Sequence, residues 1–210
     1  NSENGPAARN EVRRAVNVGI NRSLINDLVM KGLATVPNGY FSPGVLAYSK
    51  DQPTLTYDAK SAAATIEQLG LKGTKLTYET TSALGDPGAW DIVNKNLSDM
   101  GFSPVQKTVD LATWSADYTR LSAVGLDMAC GLMGSDTMLQ IYTLLRAGKW
   151  PTNPTLDAAY DKLLTTSRTA DDYITNLRAV NKLVTQEVVA LFIITTPRVN
   201  GISAAVDWLA

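Results

Sequence analysis

Between Lys75 and Leu132 the hydrophobic period of the chain switches repeatedly between two and about 3.6 residues, and this succession restricts the possible folds. Lys75–Thr80, KLTYET, alternates with period two, as a strand with one buried face must. A turn-rich stretch, 81–88, leads to a helix carrying Trp90, Ile92, Val93 and Leu97, with its stop at Gly101. Pro104–Asp110 alternates again, with Val105, Lys107 and Val109 on one side. Thr113–Val124 then reads as a helix and Leu126–Leu132 as a buried strand. Strand, helix, strand, helix, strand with such connections suits parallel pairing through right-handed crossovers, so the expected class is α/β.

The flanks extend this unit. Val12, Val16 and Ile20 recur at helical spacing, and a second helix is expected from an N-cap at Ser23 to a stop at Gly32. The Pro- and Gly-rich segment 35–56 reads as a long irregular loop, a length uncommon unless it has a function. Asp58 caps a helix over Ala59–Leu69 that Gly70 ends. Past the third strand, helices are expected near 137–146, 155–167 and 171–187, with the loop 147–154 between the first two. The apolar run Val189–Thr195 reads as a central strand and Val199–Ser203 as a short one. The first eight residues, NSENGPAA, read as a frayed end.

Several chemistries are excluded by what the chain lacks. It has no histidine and one cysteine, Cys130, so Ser-His or Cys-His nucleophilic pairs and the usual zinc sites are ruled out, and no metal or other cofactor is expected. Cys130 sits in the apolar run LDMACGL and reads as a buried filler. The formal net charge is −1 with Lys and Arg spread along the chain, which gives no basic stripe for nucleic acid. The longest apolar run, Val188–Ile194, is far too short to cross a bilayer.

Four segments in order carry a family resemblance. VRRAVNVGINRSLI, residues 12–25, is similar to VRQALNYAIDRxxI, and YDAKSAAATIEQLGL, residues 57–71, is similar to YDPEKAKxLLxEAGY. LSDMGFSPVQKTVDLATW and ALFIITTPRV follow in the expected order. Together they resemble the family 5 extracellular solute-binding proteins, the peptide-, dipeptide- and nickel-binding components of ABC importers, over roughly Glu11 to Val199. The resemblance implies one lobe of a class II periplasmic-binding-protein fold, with a mixed, mostly parallel sheet flanked by helices. Residues 9–210 would form that lobe, and the other, N-terminal lobe would lie outside this sequence. It also implies an extracytoplasmic location, with a lipid anchor in the full-length parent as one arrangement, and partnership with permease subunits. The ligand would be a small molecule, a peptide or another oligomeric nutrient. Asn21 stands where the family usually has Asp, and Ala59 where it has Pro.

In open α/β sheets, ligands bind beyond the carboxyl ends of the strands. That rule singles out Thr80–Gly88, Asp110–Trp114 and Met133–Asp136. Asp136, after an apolar strand and before a helix, fits an N-cap; the resemblance adds a cleft-facing role, because relatives carry a pattern close to GWxADYPDP there and pair its first Asp with the amino terminus of a peptide. Met133 replaces the usual Trp, with Ser135 between them, so the carboxylate is kept and the aromatic platform lost. Thr81 and Ser82 offer hydroxyls, and the helix after them offers amides to an anion unless Asp86 caps it. Tyr40 and Phe41 in the long loop either stack on ligand or anchor the loop, and Trp114 either packs or lines the cleft. Trp150 could line the cleft or stiffen its loop, and Arg198 fits a structural ion pair or a carboxylate contact. Two functions remain: solute capture for import, with no bond made or broken, and a hydrolytic enzyme of α/β type using a carboxylate such as Asp136 or Asp86. The chain has no G-x-S-x-G, P-loop or G-x-G-x-x-G motif.

Overall fold

The computed structural model describes residues 5–36, 46, 48–51, 53–83, 86–119, 128–129, 143, 146, 153–169, 171–189 and 191–195. Their order is a 3-10 turn (Pro6–Ala8), α1 (Asn10–Gly19), α2 (Arg22–Leu28), α3 (Ala59–Gln68), β1 (Lys75–Thr80), α4 (Pro87–Asp99), β2 (Ser103–Thr108), α5 (Leu111–Thr119), β3 (Met128–Ala129), α6 (Pro154–Thr165) and α7 (Tyr173–Glu187). The strands form a parallel sheet in the order β2-β1-β3, with Glu79 opposite Lys107 on one side and Ala129 on the other. The expected α/β class and parallel pairing are present; the described sheet contains no antiparallel strand, and a lone antiparallel bridge joins Thr35 to Thr195.

The elements begin and end where side chains can satisfy free backbone groups. Asp58 accepts the Ser61 N–H at 2.9 Å and opens α3, while Asp86 accepts the Gly88 N–H at 2.8 Å and opens α4. Gly70 and Gly101, with φ of 70° and 102°, make the left-handed exits that L side chains resist. The cap of α2 is Asn21, which accepts the Leu24 N–H at 3.0 Å, and not Ser23. The helix starts two residues earlier because Asn21 is itself pinned, its N–H donating to Asn96 Oδ1 at 2.9 Å.

The main core lies on one face of β1. Leu76 and Tyr78 point into a cluster that takes Val12 and Val16 from α1, Ile66 from α3 and Val93 from α4. Each large side chain buried this fully contributes about 1.5–3 kcal/mol. Helices α1 and α3 cross closely at Gly19: a Cβ there would overlap Met100 Sδ and sit 3.0 Å from Ala62 Cβ.

A second packing centre joins α6, through Leu156, Tyr160 and Leu163, to α7, through Tyr173, Leu177, Val180 and Val184. Arg146, in the expected 137–146 helix, pairs with Asp157 at 3.1 Å and Asp161 at 2.6 Å on α6, and draws the Asp161 carboxyl below its ordinary range. The α7 end is fastened to α1. Arg13 donates to Glu187 O and Val188 O, each at 2.9 Å, and Glu187 also accepts from Asn10 and Asn153. Arg13 donates as well to Ala7 O and Ala8 O, so Pro6–Ala8 forms a held 3-10 turn where the sequence suggests a frayed end.

The described residues of the expected central strand, 189 and 191–195, form no strand, and Thr195 makes only the isolated bridge to Thr35. Val188 turns left-handed (φ 47°, ψ 56°) and redirects the chain, and the Phe192 carbonyl accepts from Arg22 Nε at 2.9 Å. The segment's apolar character serves packing, with Leu191, Ile193 and Ile194 against the main core. Expectations for 37–45, Cys130, Trp150, Arg198 and 199–210 lie outside the described residues.

Candidate functional site

The strand order locates the site. The chain leaves β1 for β2 on one side, and β3 then lies on the other, so the connections diverge between the carboxyl ends of β1 and β3. Such a switch point is where open α/β sheets leave a crevice.

The β1 rim is held from below by a line of side chains. Tyr78 Oη donates to Asn94 Oδ1 at 2.8 Å, Asn94 Nδ2 to Gln106 Oε1 at 2.7 Å, and Gln106 Nε2 to Thr80 Oγ1 at 3.0 Å. Gln106 thereby ties α4, β2 and the last residue of β1 together. Burial pushes the Tyr78 phenol well above its ordinary range, with Asp91 adding to the effect, so its donor proton is retained. Beyond this line Thr81 is buried, its hydroxyl oxygen 3.5 Å from the Ala83 N–H that donates to it, and Ser82 is exposed.

The helix amides facing this rim are already occupied. Asp86 sits on the N-terminus of α4, where its carboxylate also suits the helix dipole, so the structure takes the capping alternative there. After β2, Asp110 accepts the Thr113 N–H at 2.9 Å and the Thr113 hydroxyl proton at 2.7 Å. Those bonds lower the Asp110 carboxyl below its ordinary value, the backbone bond most. Trp114, in the next turn of α5, is 7% exposed and packs inward.

The residue that sequence reasoning missed is Glu79. The pattern KLTYET places it on the polar face of β1 with Lys75 and Thr77, yet it is 6% exposed. Lys107 Nζ lies 3.9 Å from its Oε1, and its buried Oε2 has no donor among the described residues. Burial raises the Glu79 carboxyl, Asp117 raises it further, and Lys107 opposes both.

Among the expected site residues, the structure thus brings Thr81 and Ser82 to the β1 rim and Trp114 to the α5 turn after β2. Asp136, Met133, Ser135, Tyr40 and Phe41 lie outside the described residues. Among the described residues no group of three or more His, Cys, Asp or Glu is placed to hold a metal ion.

Comparison with known proteins places this geometry. The family model for bacterial extracellular solute-binding proteins, family 5 (middle region), matches residues 1–150. No curated protein sequence matches the chain. The periplasmic binding protein DppA of Helicobacter pylori, solved in complex with the peptide STSA, is 16% identical with a TM-score of 0.73, over 91% of this chain and 39% of that one. The oligopeptide-binding protein AppA of Bacillus subtilis, solved with a nonapeptide, is 15% identical with a TM-score of 0.73, over 93% of this chain and 43% of that one. NikA of Brucella suis, solved with Fe(III)-EDTA, is 16% identical with a TM-score of 0.71, over 93% and 44%. At these identities the likeness speaks to fold, which is that of one lobe of a periplasmic binding protein. The chain spans between 39% and 44% of the length of these structures.

Proposed function

The chain belongs to the bacterial extracellular solute-binding proteins of family 5, and on that premise we propose that it forms one lobe of a protein that captures a solute for an ABC import system. The cleft would lie between this lobe and a second one in a longer parent, outside the cell membrane, and permease subunits would receive the loaded protein. The observation that carries this reading is the strand order β2-β1-β3, which sets the rim of β1 beside that of β3 at a switch point.

The ligand in this reading is a peptide or another small oligomeric nutrient. Structures of similar fold were solved with peptides in two of the cases above and with a metal chelate in the third. Ser82 would offer its exposed hydroxyl from the β1 rim, with the buried Thr81 behind it, and Asp136 a carboxylate for a ligand cation, with Ser135 and Met133 beside it. Tyr40 and Phe41 would supply apolar walls, while Trp114, buried in the lobe, takes the packing alternative. Capture makes and breaks no bond, so the rim needs only donors, acceptors and shape. Ligand would favour closure by bridging two lobes, which a single lobe cannot match.

Calorimetry with di- to tetrapeptides tests this. A two-lobed parent should give saturable binding, and the 210-residue chain none. In the parent, Asp136→Ala should weaken binding about tenfold or more, roughly 1.4 kcal/mol. Tight binding by the single lobe, or an Asp136→Ala parent with unchanged affinity, would count against the reading. Native mass spectrometry of the parent, purified from its host, would show whether the co-purified solute is a peptide.

A further inference from the structure

One phenolic proton fixes the direction of every hydrogen bond on the line beneath the β1 rim. Tyr78 is 1% exposed, and the acceptors its hydroxyl reaches among the described residues are both amide oxygens, Asn94 Oδ1 at 2.8 Å and Gln106 Oε1 at 3.4 Å. With its oxygen on Tyr78, Asn94 presents Nδ2 to Gln106 Oε1 at 2.7 Å, and Gln106 in turn presents Nε2 to Thr80 Oγ1 at 3.0 Å. Turning either amide round would set N–H against N–H or leave the phenol proton without an acceptor. In a buried network that costs more than one bond contributes.

The line ends on a hydroxyl with one proton still to give. Thr80 is 2% exposed and its oxygen already accepts from Gln106, so its own hydrogen is free to donate onward. The described group that it meets is Thr108 Oγ1, 3.5 Å away. Thr80 and Thr108 are the last residues of β1 and β2, opposite each other in register, and Thr108 is exposed. At 3.5 Å the contact is long for O–H···O, so the pair keeps donor capacity at the carboxyl edge of the sheet.

We propose that these two hydroxyls form a donor corner of the solute site, on the β2 side of the rim, which takes an acceptor oxygen of the solute, a carbonyl or a carboxylate. Thr108 is the contact residue, and Gln106 is the positioning residue that keeps Thr80 donating outward. This assignment rests on the capture reading above and adds to it the chemistry of one corner. A solute N–H arriving there meets an oxygen that Thr80 already engages, so the corner favours acceptors over donors.

NMR of the 210-residue chain at low temperature reads the polarity with no solute present. The buried Thr80 hydroxyl proton should show its cross-peaks to Thr108. Gln106→Glu supplies a carboxylate that accepts from both sides, so the Thr80 proton should turn inward to it. Tyr78→Phe removes the proton that sets the direction, and serves if Gln106→Glu misfolds. Calorimetry of the two-lobed parent with tri-alanine reads the consequence. Thr108→Val, an exposed change of equal shape, should weaken binding about three- to tenfold, and Thr108→Ser should retain it. Gln106→Glu should weaken it without touching the solute. Tri-alanine amide separates the two oxygens: Thr108→Val lowers affinity for acid and amide alike if the acceptor is a carbonyl, and for the acid alone if it is the terminal carboxylate. A Thr80 proton directed at Gln106 in the wild type would overturn the donor corner. So would an unchanged affinity in Thr108→Val where Asp136→Ala weakens binding, and the capture reading would then stand without it. A parent that binds no peptide overturns both.

Discussion

Arg13 Nε donates to the carbonyl of Val188 at 2.9 Å across 175 residues of sequence. Val188 is a buried β-branched residue in left-handed backbone, a conformation that costs of order 1–3 kcal/mol and persists only where its surroundings enforce it. The guanidinium supplies that enforcement. It sits at the carboxyl end of α7, where a positive charge meets unsatisfied carbonyls.

Arg13→Ala should therefore lower the unfolding free energy by about 1.5–3 kcal/mol, the range for hydrogen bonds to a charged group. Arg13→Lys should recover less than half, because one ammonium cannot fork to Glu187 O and Val188 O while also reaching Ala8 O. Urea unfolding of the three proteins, compared at equal slope, measures both.

At the α1–α3 crossing, Gly19→Ala should destabilise by about 1–3 kcal/mol through overpacking, although alanine is the better helix former. The clash is with Met100 Sδ, so adding Met100→Ala should make the double variant less costly than the sum of the single ones. Thermal melts of the four-member cycle check the sign of that coupling.

Gln106→Leu cuts the side-chain line between Asn94 and Thr80 and leaves the Asn94 amide without its acceptor. A loss of about 1–3 kcal/mol is expected. Because Thr80 ends β1, faster exchange should appear at the backbone of residues 80–82, and NMR exchange rates there provide the check.

Asp110 titrates below its ordinary 3.8 in the folded chain. A lowered group contributes stability that is present above the unfolded value and is lost as pH falls through the folded one. The melting temperature of the wild type should thus fall below pH 3.8 more steeply than that of Asp110→Ala, whose cap is already gone.

The most legible parts of the sequence were those with local punctuation. Helices α3 and α4 are each framed by an Asp cap and a left-handed Gly, and β1 was read to the residue because its alternation is uninterrupted. The run 189–195 was misread because an apolar composition records burial and does not record pairing; the buried Arg22 takes its Phe192 carbonyl, which no local pattern reveals. Ser23 was preferred to Asn21 for a similar reason, since Asn96 pins Asn21 from 75 residues away. At the β1 rim, the strand-end rule pointed to Thr81 and Ser82, which directly follow that strand. It passed over Glu79 because alternation reports that a face is polar, not how deeply that face is buried.

Strand β2 closes one end of the described sheet, and its alternation has a further consequence there. The N–H groups of Ser103 and Val109 bond inward to Thr74 O and Thr80 O, so the even positions between them turn their nitrogens outward. Pro104 is the first of these and has no hydrogen to offer. An incoming extended chain would find its row of donors broken there and the Lys107 ammonium on the same strand. Those two features are how natural sheets discourage strand-by-strand templating by a neighbour, so this edge should not seed aggregation at high protein concentration.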